Sequence, residues 1–312
     1  MPLSNILNTT YVETSEMTDQ AGIVYVATRK ENYVAEAFLS AHSAKDLMPN
    51  LQITLFTDMV DSAFCKGHCF DKVVPIATQS NYRSRWADGQ LDRIKCLIES
   101  PYERTLHIDT DTRIQTREVL SLFKKLDTID IAMAECQMDA SVSASHYGHP
   151  MFNVGVILYK KSDKVIRLFD EWKSLTKAHF DLANLDEVPP VDCLPNIDDP
   201  ELRRELLFMD QLSMVQLLSP EVNTLELNLE ILSEAWNYRG SGKDRVFNQA
   251  IKINHHPSLR NRLGEDIIDR ASRYHRLGHV KLSREILMAL MQNAQTPNAR
   301  AHISTLLQKS FK

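Results

Sequence analysis

Long hydrophobic runs are absent from this sequence of 312 residues. A helix needs roughly 18 or more consecutive apolar residues to cross a bilayer, so we expect no transmembrane helix. Residues 1–20 are polar and mixed, and they lack the basic start and the apolar stretch of a secretory signal peptide. The sequence therefore predicts a chain that stays in the cytoplasm.

Cysteines are few and odd in number, with five in the whole chain. An odd count in a large chain favours reduced thiols over a disulfide framework. Cys65, His68 and Cys69 lie close enough along the chain for zinc, but no second ligand pair of similar spacing follows. We predict structural cysteines, with a zinc site as the weaker alternative.

An excess of basic residues is also absent, since the formal net charge is −5. This balance argues against a nucleic-acid partner. From Arg260 onward, however, ten Lys and Arg stand against four Asp and Glu. This basic tail predicts either plain solvated helices or a contact surface. Such a surface would serve for homo-oligomers or for peripheral binding at the inner face of an anionic membrane.

Two aspartates separated by one residue follow the apolar stretch 106–108. Alternate side chains share a face of a strand, so Asp109 and Asp111 can reach one ion while Thr110 turns away. Two neighbouring carboxylates repel each other unless a cation lies between them. Carboxylate oxygens suit Mg²⁺ or Mn²⁺, and a phosphate-bearing ligand would complete the shell. An ordinary acidic loop after a strand is the alternative.

Strand patterns alternate with helical patterns along most of the chain. The predicted strands are 22–28, 53–56, 72–76, the stretch before Asp109, 129–134, 152–159 and 251–254. The predicted helices are 33–45, 89–99, 119–126, 165–175, 201–218, 265–277, 283–293 and a last one from Pro297. This order predicts an α/β fold with a mixed, mostly parallel, Rossmann-like sheet flanked by helices. Ligands of such sheets bind beyond the C-terminal ends of the strands.

Three segments follow from this pattern. They are a polar N-terminal segment at 1–20, an α/β domain at 21–258 and a basic helical extension at 259–312. Within the domain, the acidic stretch 181–200 contains four prolines and predicts a loop, which we interpret as a mobile cover.

Several short motifs occur in an order that can be compared with known families. Strand 24–28 leads to Asn32 and Tyr33, and Asp109-Thr110-Asp111 ends a middle strand. Phe152-Asn153-Val154-Gly155 begins a later strand, Asp210-Gln211 lies at a helix, and His255 follows the last strand. Over residues 22–257 this order resembles the nucleotide-sugar-dependent glycosyltransferases of the GT-A fold, especially the retaining, family-8-like branch.

The resemblance implies a metal site. Asp109 and Asp111 would hold Mn²⁺ or Mg²⁺ against the diphosphate of the donor, with His255 as third ligand and His256 left as its alternative. The sequence departs from the family by lacking the glycine and lysine common after this histidine. A substitute cation for the leaving group would come from Lys243, Arg260 or Arg262.

The resemblance also implies the substrate contacts. Catalytic roles near the anomeric carbon fall to Asp210, Gln211 and Asn153. Substrate-binding roles fall to Thr28, Asn32, Tyr33, Lys95, Thr110, Asn153, Gly155 and Arg239. Structural alternatives are a helix cap at Asn32, a solvated Lys95, and an ion pair of Asp210 with Arg203 or Arg204.

The resulting hypothesis is a hexosyltransferase that moves a sugar, with retention, from a nucleoside diphosphate sugar to an acceptor hydroxyl. A UDP-sugar is the default donor by resemblance, and the sequence does not identify the acceptor. Two alternatives stay open. One is a phosphatase of the haloacid dehalogenase type, which also ends a strand in Asp-x-Asp. The other is a non-catalytic scaffold that binds nucleotide sugars.

Overall fold

A computed structural model describes residues 20–82, 84–135, 152–194, 197–219, 223–240, 249–293 and 297–309. Residues 1–19 of the predicted N-terminal segment, Cys136 and Lys243 lie outside these ranges. Within them, every helix is too short or too polar to cross a bilayer. The four cysteines in these ranges, Cys65, Cys69, Cys96 and Cys193, form no disulfide with one another.

Nine strands belong to the described part of the chain. They are β1 (Ala21–Ala27), β2 (Gln52–Thr57), β3 (Lys72–Pro75), β4 (Arg104–Ile108), β5 (Arg113–Ile114), β6 (Ile131–Glu135), β7 (Phe152–Lys160), β8 (Leu229–Leu232) and β9 (Ile253–Asn254). Seven form one sheet in the order β3-β2-β1-β4-β7-β6-β8, while β5 and β9 form a separate ribbon. Strand β7 runs antiparallel to β4 and β6, whereas β1–β4, β2–β3 and β6–β8 are parallel pairs. The predicted mixed, mostly parallel sheet is confirmed.

The helices of the described ranges surround these strands. They are α1 (Glu31–Leu47), α2 (Arg85–Ile98), α3 (Val119–Lys125), α4 (Asp163–Ala183), α5 (Pro200–Leu207), α6 (Asp210–Leu218), α7 (Ser258–Asn261), α8 (Leu263–Arg276), α9 (Val280–Asn293) and α10 (Pro297–Lys309). Short 3₁₀ turns occupy Ala63–Lys66 and Glu234–Trp236.

The chain divides into two compact units. The first comprises residues 1–24, 77–108 and 118–237, and the second comprises 25–76, 109–117 and 238–312. The predicted boundaries at residues 20 and 258 stay predictions.

In the first unit, α2, α5 and α6 each pack against α4. Trp172 of α4 is fully buried, and its indole nitrogen donates to the carbonyl of Asp210 at 2.8 Å. A buried indole needs such a partner for its N–H group. The contact therefore ties the start of α6 to α4.

In the second unit, α8 packs on α1 and α9 packs on α8. The hydroxyl of Tyr274 on α8 lies 2.9 Å from Nε2 of His42 on α1, and both residues are buried beside Phe38. At the edge of this contact Arg270 and Arg273 reach the carboxylate of Asp46. The basic C-terminal helices are thus built into the unit that contains residues 25–76.

The predicted single helix at 201–218 is wrong, because Met209 separates α5 from α6. Met209 has an extended backbone, with φ −96° and ψ 117°, and the next amide, of Asp210, donates to Oε1 of Gln90. The side-chain partner lies more than a hundred residues away in sequence, so no local pattern predicts the break. Strands β5 and β8 were not predicted, since two and four residues are too few for a clear alternation.

Candidate active site

The backbone of the Asp-x-Asp motif is held by a buried chain of hydroxyl groups. The hydroxyl of Thr112 donates to the carbonyl of Asp109 at 2.8 Å. The Thr112 hydroxyl has only one proton to donate, so it must accept from the Ser40 hydroxyl, 2.7 Å away. By the same argument Ser40 accepts from the Tyr25 hydroxyl at 2.9 Å. Burial raises the pKa of Tyr25, and the phenol therefore keeps the proton that this chain requires. These contacts fix the loop that carries both aspartates.

The two-stranded ribbon brings the late histidine to this loop. Arg113 pairs with Asn254 and Ile114 with Ile253, in antiparallel register. The amide of His255 donates to the carbonyl of Tyr238 at 2.8 Å, which orients the backbone just after β9. Residues more than 140 positions apart therefore meet at one place.

Asp109, Asp111 and His255 form a compact cluster whose ligand atoms lie within 4.8 Å of one another. Nε2 of His255 is 3.2 Å from Oδ1 of Asp111 and 3.7 Å from Oδ2 of Asp109. His255 is only 3% exposed, whereas the Asp109 side chain is 30% exposed. The cluster is closed on the histidine side and open to a ligand on the Asp109 side.

A second layer of charge surrounds Asp111. Nη2 of Arg260 lies 2.9 Å from Oδ2 of Asp111, and Nε of Arg260 lies 3.6 Å from Oε1 of Glu36. Glu36 is only 4% exposed, and it accepts a hydrogen bond from the hydroxyl of Thr110 at 3.1 Å. Arg260 thus bridges two acidic groups, and Thr110 is drawn towards Glu36 and away from the cluster. The motif lies in the turn after β4 rather than in a strand, so this hydrogen bond, and not the predicted strand alternation, separates Thr110 from the aspartates.

The pKa values in this group follow from burial and charge. Burial raises the pKa of Asp111, but the hydrogen bond with His255 and the positive charge of Arg260 outweigh it. The pKa of Asp111 therefore lies below its usual range. Burial and then the negative charge of Asp111 raise the pKa of Glu36. Asp111 thus stays ionised and available as a ligand, while Glu36 takes up a proton more readily than an exposed glutamate.

The donor set fits a divalent metal. Mn²⁺ binds both carboxylates and imidazoles, so all three residues fit it. Mg²⁺ prefers oxygen ligands, so it fits the two carboxylates. The ring atom of His255 that faces the acids, Nε2, is a metal-binding nitrogen. His256 is not part of the cluster, since its Nδ1 lies 2.7 Å from the hydroxyl of Ser258 and its ring stacks on Tyr238. No such cluster forms around Cys65, His68 and Cys69 among the residues with described positions.

The turn after β1 is strained and anchored. Arg29 has a positive φ of 71°, which is uncommon for a residue other than glycine. Its amide donates to both oxygens of Asp58, at 3.0 and 3.2 Å, and the Lys30 amide donates to the carbonyl of Thr28. Strain of this kind persists where surrounding contacts enforce it, often at ligand sites.

The predicted nucleotide-binding residues lie around this turn in the second unit. Thr28 is buried, Tyr33 is partly buried, and Asn32 is exposed in the first turn of α1. Lys30 and not Asn32 occupies the N-cap position of that helix, so the capping alternative for Asn32 is wrong. The Lys30 ammonium lies 5.5 Å from the centre of the Tyr33 ring.

In the first unit, Asn153 is a buried connector. Its Oδ1 accepts from the Gly155 amide at 2.9 Å and from the Asn237 side-chain amide at 2.8 Å. These bonds orient the Asn153 side chain at the start of β7. The segment Phe152–Gly155 is thus held to the stretch before Arg239.

Asp210 is also buried in the first unit, at 2% exposure, where it pairs with Arg93 of α2. The proposed pairing with Arg203 or Arg204 is wrong, because both donate to backbone carbonyls between Ala183 and Asp198. Gln211 is partly buried in the same turn of α6.

The remaining predicted residues have varied surroundings. Lys95 is exposed in the last turn of α2. Arg239, in the second unit, is partly buried, and its Nε is buried without a hydrogen-bond partner among the described residues. A buried donor of this kind is costly unless a ligand or water meets it.

Stretch 184–194 is packed rather than loose. Val188 and Leu194 join a hydrophobic cluster with Ala183, Leu206 and Leu207. Arg203 donates to the carbonyl of Val188 at 2.8 Å, and Arg204 donates to that of Leu185 at 2.7 Å. These contacts disfavour the interpretation of the whole stretch 181–200 as a mobile cover.

Sequence reasoning missed several members of this site. Glu36, Thr112, Arg93, Asn237 and the Arg29–Asp58 turn were not singled out. A faint signal existed for Glu36, a charged residue among the apolar positions of α1, and for Asp58, which follows a strand end. For Arg93 and Asn237 no local pattern marked the partner.

Comparison with known proteins supports the fold. No protein-family model and no curated protein sequence matches this chain. The apo structure of the bifunctional glycosyltransferase WbbM matches with TM-score 0.50 and 12% identity, over 80% of this chain and 50% of WbbM. The chain thus spans about half the length of that protein. This likeness shows a shared fold and confirms the predicted GT-A architecture.

Two further solved structures match more weakly. Galactosyltransferase LgtC, in complex with donor and acceptor sugar analogues, matches with TM-score 0.49 and 14% identity over 76% of this chain and 87% of LgtC. Glycosyltransferase GlyE of Streptococcus pneumoniae TIGR4 matches with TM-score 0.44 and 16% identity over 79% of this chain and 59% of GlyE.

Proposed function

We propose that this chain is a metal-dependent glycosyltransferase that transfers a sugar from a nucleoside diphosphate sugar to an acceptor hydroxyl. The observation that carries the proposal is the cluster of Asp109, Asp111 and His255, whose ligand atoms lie within 4.8 Å of one another. It follows directly after β4 in a chain that shares its fold with a glycosyltransferase.

The chemistry of the cluster suits departure of a diphosphate. Mn²⁺ or Mg²⁺ bound there would supply Lewis-acid stabilisation of the charge that develops on the leaving group. Asp109 and Asp111 would hold the ion and His255 would add a nitrogen ligand, while the hydroxyl chain from Tyr25 keeps the loop in place. The residues are pre-oriented by buried hydrogen bonds, which is what electrostatic catalysis requires.

Arg260 is the best candidate for the cation that the family places after the histidine. Its guanidinium already lies beside Asp111, whereas Arg262 lies 3.5 Å from Asp266. A guanidinium binds diphosphate oxygens in a forked geometry. We therefore assign to Arg260 the contact with the leaving diphosphate.

The proposal includes the donor, the stereochemistry and the residues that contact the substrates. By resemblance, the donor is a UDP-sugar and transfer proceeds with retention. The nucleotide contacts fall to Thr28, Asn32, Tyr33 and Lys95, and Arg239 meets a phosphate or the acceptor. In the first unit, Asn153, Gly155, Asp210 and Gln211 would act near the sugar. The buried ion pair with Arg93 holds the Asp210 side chain in place.

Contacts beyond the substrate belong to the proposal as well. Peripheral binding to an anionic membrane and self-association through the C-terminal helices are two uses of α8 to α10. Sedimentation equilibrium measures self-association, and a purely monomeric chain across the micromolar range would exclude the second use.

A direct test is release of nucleoside diphosphate from a panel of UDP-, GDP-, ADP- and dTDP-sugars, with Mn²⁺, Mg²⁺ or EDTA. We expect release from one nucleotide class, dependent on the metal and increased by the right acceptor. Thermal stabilisation by the same nucleotide, only with metal present, supports binding at the cluster. Failure of every donor to bind or react in Mn²⁺ would overturn the proposal.

The phosphatase alternative is not favoured by the arrangement. Its Asp-x-Asp would follow the first strand, whereas here it follows β4. Such phosphatases also need an acidic pair later in the chain, near a strand end. Asp198-Asp199 does not fit this role, because the Asp199 carboxylate caps helix α5 by accepting from the Glu201 amide at 2.9 Å. Release of phosphate from a phosphomonoester, in the absence of an acceptor, would support the phosphatase alternative. Tight donor binding without any hydrolysis would instead favour the scaffold.

A further inference from the structure

A cavity of about 880 Å³ lies in the second unit, among α1, the β5–β9 ribbon and α8. It is distinct from the metal cluster, none of whose three residues lines it. Its charged lining consists of Arg113, Arg262, Arg270, Arg273, Arg276, Asp46, Asp266 and Asp269. Five guanidinium groups thus face three carboxylates in a chain whose net charge is −5.

The carboxylates do not saturate the guanidinium groups. Arg270 makes one close contact, with Nη2 2.7 Å from Oδ2 of Asp46, but Arg273 approaches the same oxygen only to 3.4 Å. Strong charge-assisted bonds measure about 2.7–2.9 Å. Each guanidinium carries five N–H donors, so most donors around the cavity lack a short carboxylate contact.

Asp266 is likewise shared between two arginines of the cavity lining, at longer distances. Asp266 lies 3.5 Å from Nη2 of Arg262 and 3.7 Å from Nη2 of Arg113. Arg276, exposed at the end of α8, has no ion pair with a residue of the described ranges. The three carboxylates therefore leave a positive surplus of two charges around the cavity.

We propose that this cavity binds a ligand carrying phosphate groups. Guanidinium groups recognise phosphate oxygens in pairs, and several converging on one cavity favour a multiply charged anion. The volume lies in the range of small-molecule sites, about 300–1,000 Å³. Either a free phosphorylated molecule or a phospholipid headgroup supplies this chemistry.

The cavity adjoins the backbone of the metal motif. Nη1 of Arg113 donates to the carbonyl of Thr112 at 2.7 Å, one residue after Asp111. Asn254, which also lines the cavity, precedes His255. A phosphate ligand at the cavity would therefore sit behind the ribbon that carries the late histidine.

The first experimental arm measures binding of inorganic pyrophosphate by calorimetry in EDTA, which keeps the metal cluster empty. We expect binding by the full chain and at least tenfold weaker binding in Arg273→Gln/Arg276→Gln. The matched control Arg167→Gln/Lys173→Gln removes two charges from exposed positions of α4 and should bind like wild type. Arg260→Gln tests the other place where pyrophosphate could bind, because Arg260 lies beside Asp111 and does not line the cavity. Binding that is weakened in Arg260→Gln and unchanged in Arg273→Gln/Arg276→Gln would overturn the proposal.

The second arm measures sedimentation with vesicles of phosphatidylcholine, with or without phosphatidylglycerol. Binding only to the anionic vesicles, lost in the double variant, identifies a headgroup as the source. Binding of pyrophosphate alone identifies a soluble ligand. The single charge reversal Arg276→Glu, at an exposed position, guards against misfolding of the double variant. Unchanged binding in both variants, or no binding of either probe by wild type, overturns the proposal.

Discussion

The guanidinium of Arg260 lies against Asp111, with Nη2 2.9 Å from Oδ2, and it also lies 3.6 Å from Glu36. Arg260 thus places a positive charge beside the carboxylate of Asp111, which is a ligand of the proposed metal site. It is 56% exposed, which leaves it free to turn towards a bound diphosphate. This relationship predicts opposite effects of one substitution on two kinds of binding.

We predict that Arg260→Gln binds Mn²⁺ alone about two- to fivefold more tightly, because a partly exposed competing ion pair contributes only about 0.2–1 kcal/mol. Donor turnover should fall by about 100-fold, since one positioned donor to the leaving group is lost. Manganese titration and nucleotide release measure the two effects. Arg262→Gln, two residues away, should change neither, and a parallel loss of both in Arg260→Gln would contradict this role.

Asp111→Asn should abolish metal-dependent donor binding and lower the rate by about 100-fold or more. Mutating a residue that only hydrogen-bonds to a metal ligand already lowers metal affinity or activity by about 10–100-fold, and loss of a ligand should cost more. The exposed Asp170 of α4 provides the control, and Asp170→Asn should behave as wild type. Donor-induced thermal shift with Mn²⁺ and with EDTA reports binding apart from turnover. Full activity of Asp111→Asn in EDTA would remove the metal from the proposed mechanism.

Arg93→Met should destabilise the chain by about 3–5 kcal/mol, because it leaves the buried carboxylate of Asp210 without its cation. Adding Asp210→Asn to this variant should recover part of the loss. Urea denaturation of the wild type, both single variants and the double variant gives the coupling energy. A loss below about 1 kcal/mol in Arg93→Met would show that other contacts satisfy Asp210.

Acid should destabilise the fold through its buried histidines. Burial lowers the pKa of His42 to about 3 and that of His179 to about 4, from an ordinary value of 6.5. The unfolded chain therefore takes up these protons below about pH 6.5, while the folded chain stays neutral. The stabilisation is complete above pH 6.5 and declines by about 1.4 kcal/mol per pH unit per histidine as the pH falls towards about 4.

His42→Gln keeps a polar partner for Tyr274 and removes the titrating group. The slope of unfolding free energy against pH, between pH 6 and 5, should fall by about 1.4 kcal/mol per pH unit relative to wild type. The exposed His302 supplies the control, since His302→Gln should leave the slope unchanged. Parallel curves for wild type and His42→Gln would show that His42 does not carry this dependence.

The sequence by itself determined the alternation of strands and helices, because burial on one or two faces imposes a period on the apolar residues. It also located Asp109 and Asp111, since the paired carboxylates follow an apolar strand directly. The order of motifs then indicated the GT-A fold, which the likeness to WbbM confirms. These features are readable because each depends on residues close together along the chain.

Only the tertiary structure decided which distant residues meet. The two-residue ribbon of β5 and β9 is too short to predict, yet its register places His255 rather than His256 at the aspartates. Glu36 and Arg260 meet Asp111 across long stretches of chain, and Arg93 rather than Arg203 or Arg204 neutralises Asp210. Such pairings are set by packing and by the need to satisfy every buried charge, and neither requirement leaves a local trace in the sequence.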